Sequence, residues 1–322
     1  MSLASTACLG PRPQTAPRHY APVTPASVVT HKASAPATCG ELVQGHLDGQ
    51  DFLVNCPIDL YAQAEVTPVA MLGLHMHSPQ HYGKMLDALT MLASRHGLRP
   101  AHLLRMHSPV PRGKGMASST ADITAAVTAF CDSTGITLDH ETLGTLIAQI
   151  EPSDGVHFPG IAHVDHLRGI CHESLPAPGG LRVLVVDCGG QVDTVDFDRE
   201  RARALYREHR QDVLFMLDKV RRGLLANDLR RVADAATLSA RLSQHILPKP
   251  PLETVLQRAR YEGALGVNCA HSGTVLGVLY DDGDPRRGWR LRSAMIQELG
   301  EQYPLLGDFA VIGGGLTRST AA

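Results

Sequence analysis

Apolar and β-branched residues first gather into a pattern at about Ser34, where the runs APATCGELVQG and FLVNCPIDLYAQAEVTP are punctuated by glycine and proline. That spacing predicts short strands and turns opening a sheet. Between Gly83 and Gly97, the positions Met85, Leu86, Leu89, Leu92 and Ala93 form one apolar stripe, which predicts a helix stopping at a glycine. A strand is predicted at 102–110 (HLLRMHSPV). A helix is predicted at 121–131, where Ile123, Val127 and Phe130 recur at helical spacing with small alanines between. A second helix is predicted over 139–150, ending at Glu151-Pro152, because proline biases the preceding residue away from α geometry.

The segment 176–180 (PAPGG) reads as a linker, and LRVLVVDC after it as a buried strand, short and rich in valine. Residues 198–222 are charged and periodic through Leu205, Val213, Leu217 and Val220, and 228–246 form a further helical candidate. The stretch 251–262 places Leu252, Val255, Leu256 and Ala259 ahead of Gly263. Strands are predicted at 274–280 and 309–313, flanking an amphipathic stretch at 286–300. Alternation of strands and helices in both halves predicts a two-domain α+β protein, with a tail at 1–33 and domains at 34–178 and 179–322. No repeat of solenoid period occurs.

Composition narrows the function classes. Thirty Lys+Arg against 32 Asp+Glu give a formal net charge of −2, which argues against a nucleic-acid partner. The longest apolar runs fall far short of the roughly 20 residues that cross a bilayer, which argues against a membrane partner. Seven scattered cysteines, with no C-x-x-C, read as reduced thiols of a cytoplasmic protein. The first 30 residues lack the uninterrupted apolar stretch of a secretory signal and would make a poor amphipathic transit helix. Oligomeric state is left open, a homodimer included.

The most informative segment runs from Pro111 through Arg112, Gly113, Lys114, Gly115, Met116, Ala117, Ser118, Ser119 and Thr120 to Ala121. Gly113 and Gly115 permit backbone conformations that a Cβ would block, and Ser118, Ser119 and Thr120 offer caps to the helix that follows. A helix start exposes unpaired N–H groups and the positive end of its dipole, so a polyphosphate can rest there with Lys114 and Arg112 nearby. The serine hydroxyls can bind a magnesium ion riding on that phosphate. The segment matches neither a Walker A loop nor a strand-linked G-x-G-x-x-G, and a capped helix after a tight turn accounts for it equally well.

The same segment resembles the P-x-x-x-G-L-G/A-S-S motif of the GHMP kinase superfamily. Ala35 to Glu41 (APATCGE) is similar to the family's first motif, and Gly263 to Gly273 (GALGVNCAHSG) to its late glycine-rich motif. The segment from Gly223 to Leu229 resembles the helical stretch before the late motif, and the motifs fall in family order from about Ser34 to the C-terminus. Within the superfamily, TCGELVQG (38–45), NCPIDLYAQAEV (55–66), GKGMASSTADI (113–123) and EPSDGVHFPG (151–160) resemble segments of the L-threonine kinases of cobalamin biosynthesis. The resemblance implies a GHMP fold: an N-terminal domain like ribosomal protein S5 domain 2, a ferredoxin-like C-terminal domain, and ATP and substrate between them.

It also implies roles. Pro111 to Thr120 would hold ATP, Ser119 and Glu151 would hold Mg²⁺, and Lys114 and Ser119 would assist catalysis. One hydroxyl and one carboxylate beside phosphates suit the hard-oxygen preference of magnesium. Asp154 would act as general base or orienter of the substrate hydroxyl. Its spacing from Glu151 is shorter than in the sugar and mevalonate kinases, which weakens a strict base assignment, and Asp is also common in such a turn for local reasons. Some members carry a lysine in the first motif where this chain has Thr38, in Pro36-Ala37-Thr38, as homoserine kinases do; this resemblance points to a hydroxy amino acid substrate. Glu41 would meet its ammonium and Gln44 its carboxylate or hydroxyl, with Ser272 and Gly273 lining the cleft.

Two alternatives are weighed, a homoserine kinase-like enzyme and a nucleotide-binding regulator without catalysis. The histidines at 157, 163, 166 and 172 with Asp165 match no zinc spacing. The arginines at 199, 201, 203, 207 and 210 lie among acidic neighbours and read as a solvated, ion-paired face.

Overall fold

A computed structural model describes residues 28–191 and 198–321. Most of the expected tail, residues 1–27, lies outside the described residues. The chain opens with one long antiparallel hairpin, β1 (Thr30–Leu47) and β2 (Gln50–Pro68), paired from His31↔Val66 to Leu47↔Gln50. Asp48 and Gly49 make the two-residue turn, both at positive φ (51° and 81°), as tight hairpins require. Short strands were expected here, but the strands run through their prolines and Gly40. Register shifts at Pro36/Ala37, Thr38/Glu41 and Glu41/Val43 absorb the interruptions as bulges.

β3 (Gly73–Met76) runs parallel to β4 (Ala101–His107), and α1 (Gly83–Arg95) lies between them in sequence. α2 (Ser118–Thr134) and α3 (His140–Ala148) follow, then β5 (Ile161–Asp165) and β6 (Ile170–Leu175). The 176–180 segment is a short turn into β7 (Leu181–Asp187), fastened by the Gly179 N–H donating to Asn227 Oδ1 at 2.8 Å. The periodic stretch 198–222 is two helices, α4 (Arg199–Glu208) and α5 (Arg210–Leu225), which break at His209. Asp198 caps α4 by accepting from the Arg201 N–H. The remainder is α6 (Leu229–Ser243), α7 (Leu252–Tyr261), β8 (Gly266–Cys269), β9 (Val275–Asp281), α8 (Arg287–Leu299), β10 (Leu305–Ala310) and β11 (Thr317–Ala321).

The described strands form one sheet with neighbours in the order β10-β7-β9-β8-β1-β2-β4-β3, while β11 pairs with β1 and β5 with β2 and β6. The strands of the first and second halves meet where β1 pairs with β8 at Glu41↔Cys269. Three larger cores hold the elements in place. One packs Leu89, Leu92, Ile123, Val127, Phe130 and Leu146 against Ala62, Val66 and Leu104 of the hairpin and β4. β7 is buried on both faces: Val183 and Val185 enter a core with Val213, Met216 and Val232, and Leu184 and Val186 one with Val255, Leu276 and Met295. Each such side chain contributes about 1.5–3 kcal/mol on removal from water. Two-sided burial is why this strand reads as a continuous apolar run.

Candidate active site

The glycine-bearing turn lies between β4 and α2, and its carbonyls are consumed by the first motif and by the two residues that follow the late one. Lys114 O accepts from the N–H groups of Thr274 (2.9 Å) and Val275 (3.2 Å), Gly115 O from Gly40 (3.2 Å), and Met116 O from Thr38 (3.1 Å). This close packing needs glycine on both sides. Gly115 sits at φ +79°, a Cβ there would strike Ala270, and a Cβ on Gly273 would strike the Gly115 backbone.

With the carbonyls held on that side, the N–H groups are left for the other. Among the described residues, none of the N–H groups from Gly113 to Thr120 donates to a backbone carbonyl. α2 begins without a side-chain cap: its N-cap is Ala117, left-handed at φ 58°. Ser118, Ser119 and Thr120 were expected as caps but form the first helical turn, so the Ser118 and Ser119 hydroxyls remain available to a ligand while that of Thr120 serves Asp154.

A cavity of about 460 Å³ opens over this turn, lined by Arg112, Gly113, Gly115 to Thr120, Glu41, Glu151, Asp154 and Ser272. Gln80 to Met85, leading into and opening α1, line it as well. A second cavity of about 40 Å³ adjoins it and shares Glu41, Pro152, Asp154 and Ser272, adding Gln44, Leu53, Ser153, His166 and Arg199. Glu41 and Asp154 therefore stand at the junction. Of the other expected site residues, Pro111, Lys114, Thr38 and Gly273 line neither cavity. Lys114 Nζ instead meets Asp187 Oδ2 and the Gly190 carbonyl, each at 2.7 Å. Thr38 is fully buried, and its N–H serves the Met116 carbonyl. The 176–180 turn lines neither cavity.

Four carboxylates ring the larger cavity, and the structure compensates each differently. Glu151 Oε2 pairs with Lys84 Nζ at 2.7 Å, and Asp122 Oδ2 with Arg112 at 2.7 Å. Arg112 also lies over the Tyr82 ring, 4.8 Å from its centroid. Glu41 Oε2 accepts from the His271 N–H and faces His271 Nδ1, both at 2.8 Å, and His271 Nε2 meets Ser239 Oγ at 2.9 Å. Ser239 Oγ in turn accepts from the Gln44 N–H at 3.2 Å.

Asp154 is half-buried and lines both cavities. Burial first, then the charges of Glu41 and Glu151, push its carboxyl up to about 8, against the pull of a hydrogen bond from Thr120. Asn55 fixes its loop, donating to Asp154 O at 3.0 Å and accepting from the Ala162 N–H at 2.8 Å.

These residues fit a hard divalent cation. Glu151 Oε1 and Asp122 Oδ1 are buried oxygens without a hydrogen-bond partner, and both residues line the cavity together with Ser118 and Ser119. Asp122, Lys84, Asn55, His271, His166 and Arg199 were not singled out for the site from the sequence. Asp122 carried a signal, three residues past Ser119 on the same face of α2. The other five reach the site from separate elements. Among the described residues, no group of three or more His, Cys, Asp or Glu side chains is arranged to hold a metal unaided. His157 is fully buried with neither ring nitrogen partnered, and burial pushes it down to about 3.

A glycine turn with free amides, capped by two other motifs and facing carboxylates across a cleft, marks a phosphate-handling α+β protein. The chain matches the model of the GHMP kinases N-terminal domain over residues 83–160 and that of the GHMP kinases C-terminal domain over 220–296. It is 34% identical over 255 residues to an L-threonine kinase of Citrobacter freundii, an alignment covering 77% of this chain and 86% of that protein. Homoserine kinase from Cytophaga hutchinsonii superposes with a TM-score of 0.71 at 16% identity, over 90% of this chain and 97% of the other. Mevalonate diphosphate decarboxylase from Enterococcus faecalis, studied for its ATP binding, superposes with a TM-score of 0.64 at 16% identity, over 92% and 100%. These two likenesses bear on the fold. The chain belongs to the GHMP kinases, and the α+β fold expected from the sequence is theirs. No helix among the described residues is long and apolar enough to cross a membrane.

Proposed function

We propose that this protein transfers the γ-phosphoryl group of ATP to the side-chain hydroxyl of free L-threonine, giving O-phospho-L-threonine and ADP. The carrying observation is the position of Asp154 at the junction of two unlike cavities, one walled by free amides and the other by groups suited to a small zwitterion. Glu41 supplies negative charge for an α-ammonium, and Arg199 and Gln44 supply donors for an α-carboxylate. Leu53 and Pro152 give the small cavity its apolar surface, which suits a methyl group. The Citrobacter freundii relative supports the same amino acid.

In this reading the amides of Gly113 to Ser119 receive the phosphates, and Ser119 and Glu151 would hold Mg²⁺. That ion, when bound, neutralises charge on the phosphate oxygens. Asp154, in its ionised form, accepts the hydroxyl proton as the hydroxyl oxygen bonds to phosphorus and the bond from phosphorus to the ADP oxygen breaks. Lys114 acts through the turn, holding it to Asp187 and Gly190. The proposal includes a cytoplasmic location, domains at 34–178 and 179–322 after a tail at 1–33, and a product used for the aminopropanol linker of cobalamin.

Purified protein with Mg-ATP is expected to form ADP in proportion to added L-threonine, and less with L-serine or L-homoserine. Absence of threonine-dependent ADP overturns the reading, and a preference for homoserine replaces it with a homoserine kinase.

A further inference from the structure

The two ion pairs on the cavity wall share an asymmetry. In each, the carboxylate is buried and the cation is half-exposed: side-chain exposure is 6% for Glu151 against 43% for Lys84, and 2% for Asp122 against 41% for Arg112. Each carboxylate uses one oxygen in its pair and leaves the other unpartnered. A buried carboxylate stripped of its partner is costly, so in the absence of ligand the cation must stay. The cations are long, flexible and open to the cavity.

Lys84 is also badly placed for its own helix. It lies in the first turn of α1, which has no acidic residue and no side-chain cap, where the dipole disfavours a positive charge. That turn (Gly83 to Met85) lines the same cavity as the glycine turn. A lysine there gains when an anion lies before it. Glu151 is that anion at present.

We propose that Lys84, with Arg112 beside it, is an exchange cation. Without ligand it masks Glu151 and so keeps a free divalent ion out. When a nucleoside triphosphate arrives with its metal, Lys84 passes to the phosphate oxygens and Glu151 turns to the metal. Metal thus enters only with nucleotide. Arg112 is the less mobile of the two, because the Tyr82 ring holds it as well as Asp122. The inference rests on the nucleotide half of the proposed function and is independent of which alcohol accepts the phosphoryl group.

The test uses the full-length protein and no amino acid substrate, so it stands or falls apart from the threonine assay. Mn²⁺ is titrated without nucleotide, with free ion counted by electron paramagnetic resonance, and Mg-ADP binding is measured by calorimetry. Lys84→Met is expected to bind Mn²⁺ at least about tenfold more tightly than the wild type and Mg-ADP about tenfold more weakly, and Lys84→Arg to restore both. Thermal melting checks that the variants fold, as the exposure of Lys84 predicts. Unchanged Mn²⁺ affinity in Lys84→Met overturns the masking. Unchanged Mg-ADP affinity overturns the exchange.

Discussion

Replacing Asp154 by Asn removes one of the two carboxyls placed between the cavities, the one not held by His271, and leaves its volume and loop intact, since Asn55 grips the backbone and not the side chain. Two effects follow, and they separate. The first is on rate. Loss of a general base costs about 10²–10⁴-fold, and the loose transition state of phosphoryl transfer favours the lower end, so kcat should fall about 10²–10³-fold.

The second effect is on pH dependence. Burial and the charges of Glu41 and Glu151 hold the Asp154 carboxyl at about 8. Only the ionised form accepts a proton, so about one tenth of the protein is competent at pH 7. Wild-type kcat/KM for the nucleotide should therefore rise with pH, bend near 8 and level above it. Glu41→Gln removes one of the charges responsible and should move that inflection toward acid, whatever it does to KM for the amino acid. In Asp154→Asn the rise should vanish. Steady-state rates from pH 5.5 to 9.5 read all three profiles. An Asp154→Asn enzyme with an inflection still near 8 would falsify the assignment of the proton acceptor.

Other predictions concern the turn and the core. Ser119→Ala should lose turnover by two orders of magnitude or more while its melting temperature stays near the wild-type value, because the hydroxyl caps nothing; a full-rate variant would remove Ser119 from the site. Ala117, at φ 58°, predicts that Ala117→Val is less stable than Ala117→Gly by about 1–2 kcal/mol in urea unfolding, and equal stabilities would contradict the left-handed N-cap. His157 titrates at about 3 when folded and about 6.5 when unfolded, so between those values the unfolded chain binds more protons and stability falls as pH falls. The loss at pH 5 is about 2 kcal/mol. His157→Phe should flatten this slope, and an unaltered pH dependence of unfolding would count against the buried neutral imidazole.

Several elements were legible because their causes are local. The stripe from Met85 to Ala93, the alanine-spaced helix behind Ser119 and the run LRVLVVDC each state their own period, and α1, α2 and β7 occupy those places. The hairpin was less legible, because bulges let β1 and β2 continue through residues that usually end strands. Lys114 is the sharpest divergence in the site. Its place beside two glycines suggests a phosphate ligand, yet both glycines are left-handed (φ 69° and 79°) and its ammonium meets Asp187, more than seventy residues away.

By itself, the sequence determined most of the helices, the buried strand β7, the glycine turn at the head of α2 and the membership of the GHMP kinases, all of which rest on short-range spacing and motif order, while β3, β5, β6, β8 and β11 carried no such signal. The tertiary structure alone decided which side of that turn is open. Thr38, Gly40, Thr274 and Val275 take its carbonyls, and the amides are left facing Glu41, Glu151 and Asp154. It also decided the pairing of Lys84 with Glu151 and the raised proton affinity of Asp154. The pair joins segments far apart in the chain, and the proton affinity follows first from burial and then from the charges of Glu41 and Glu151, neither of which a local pattern encodes.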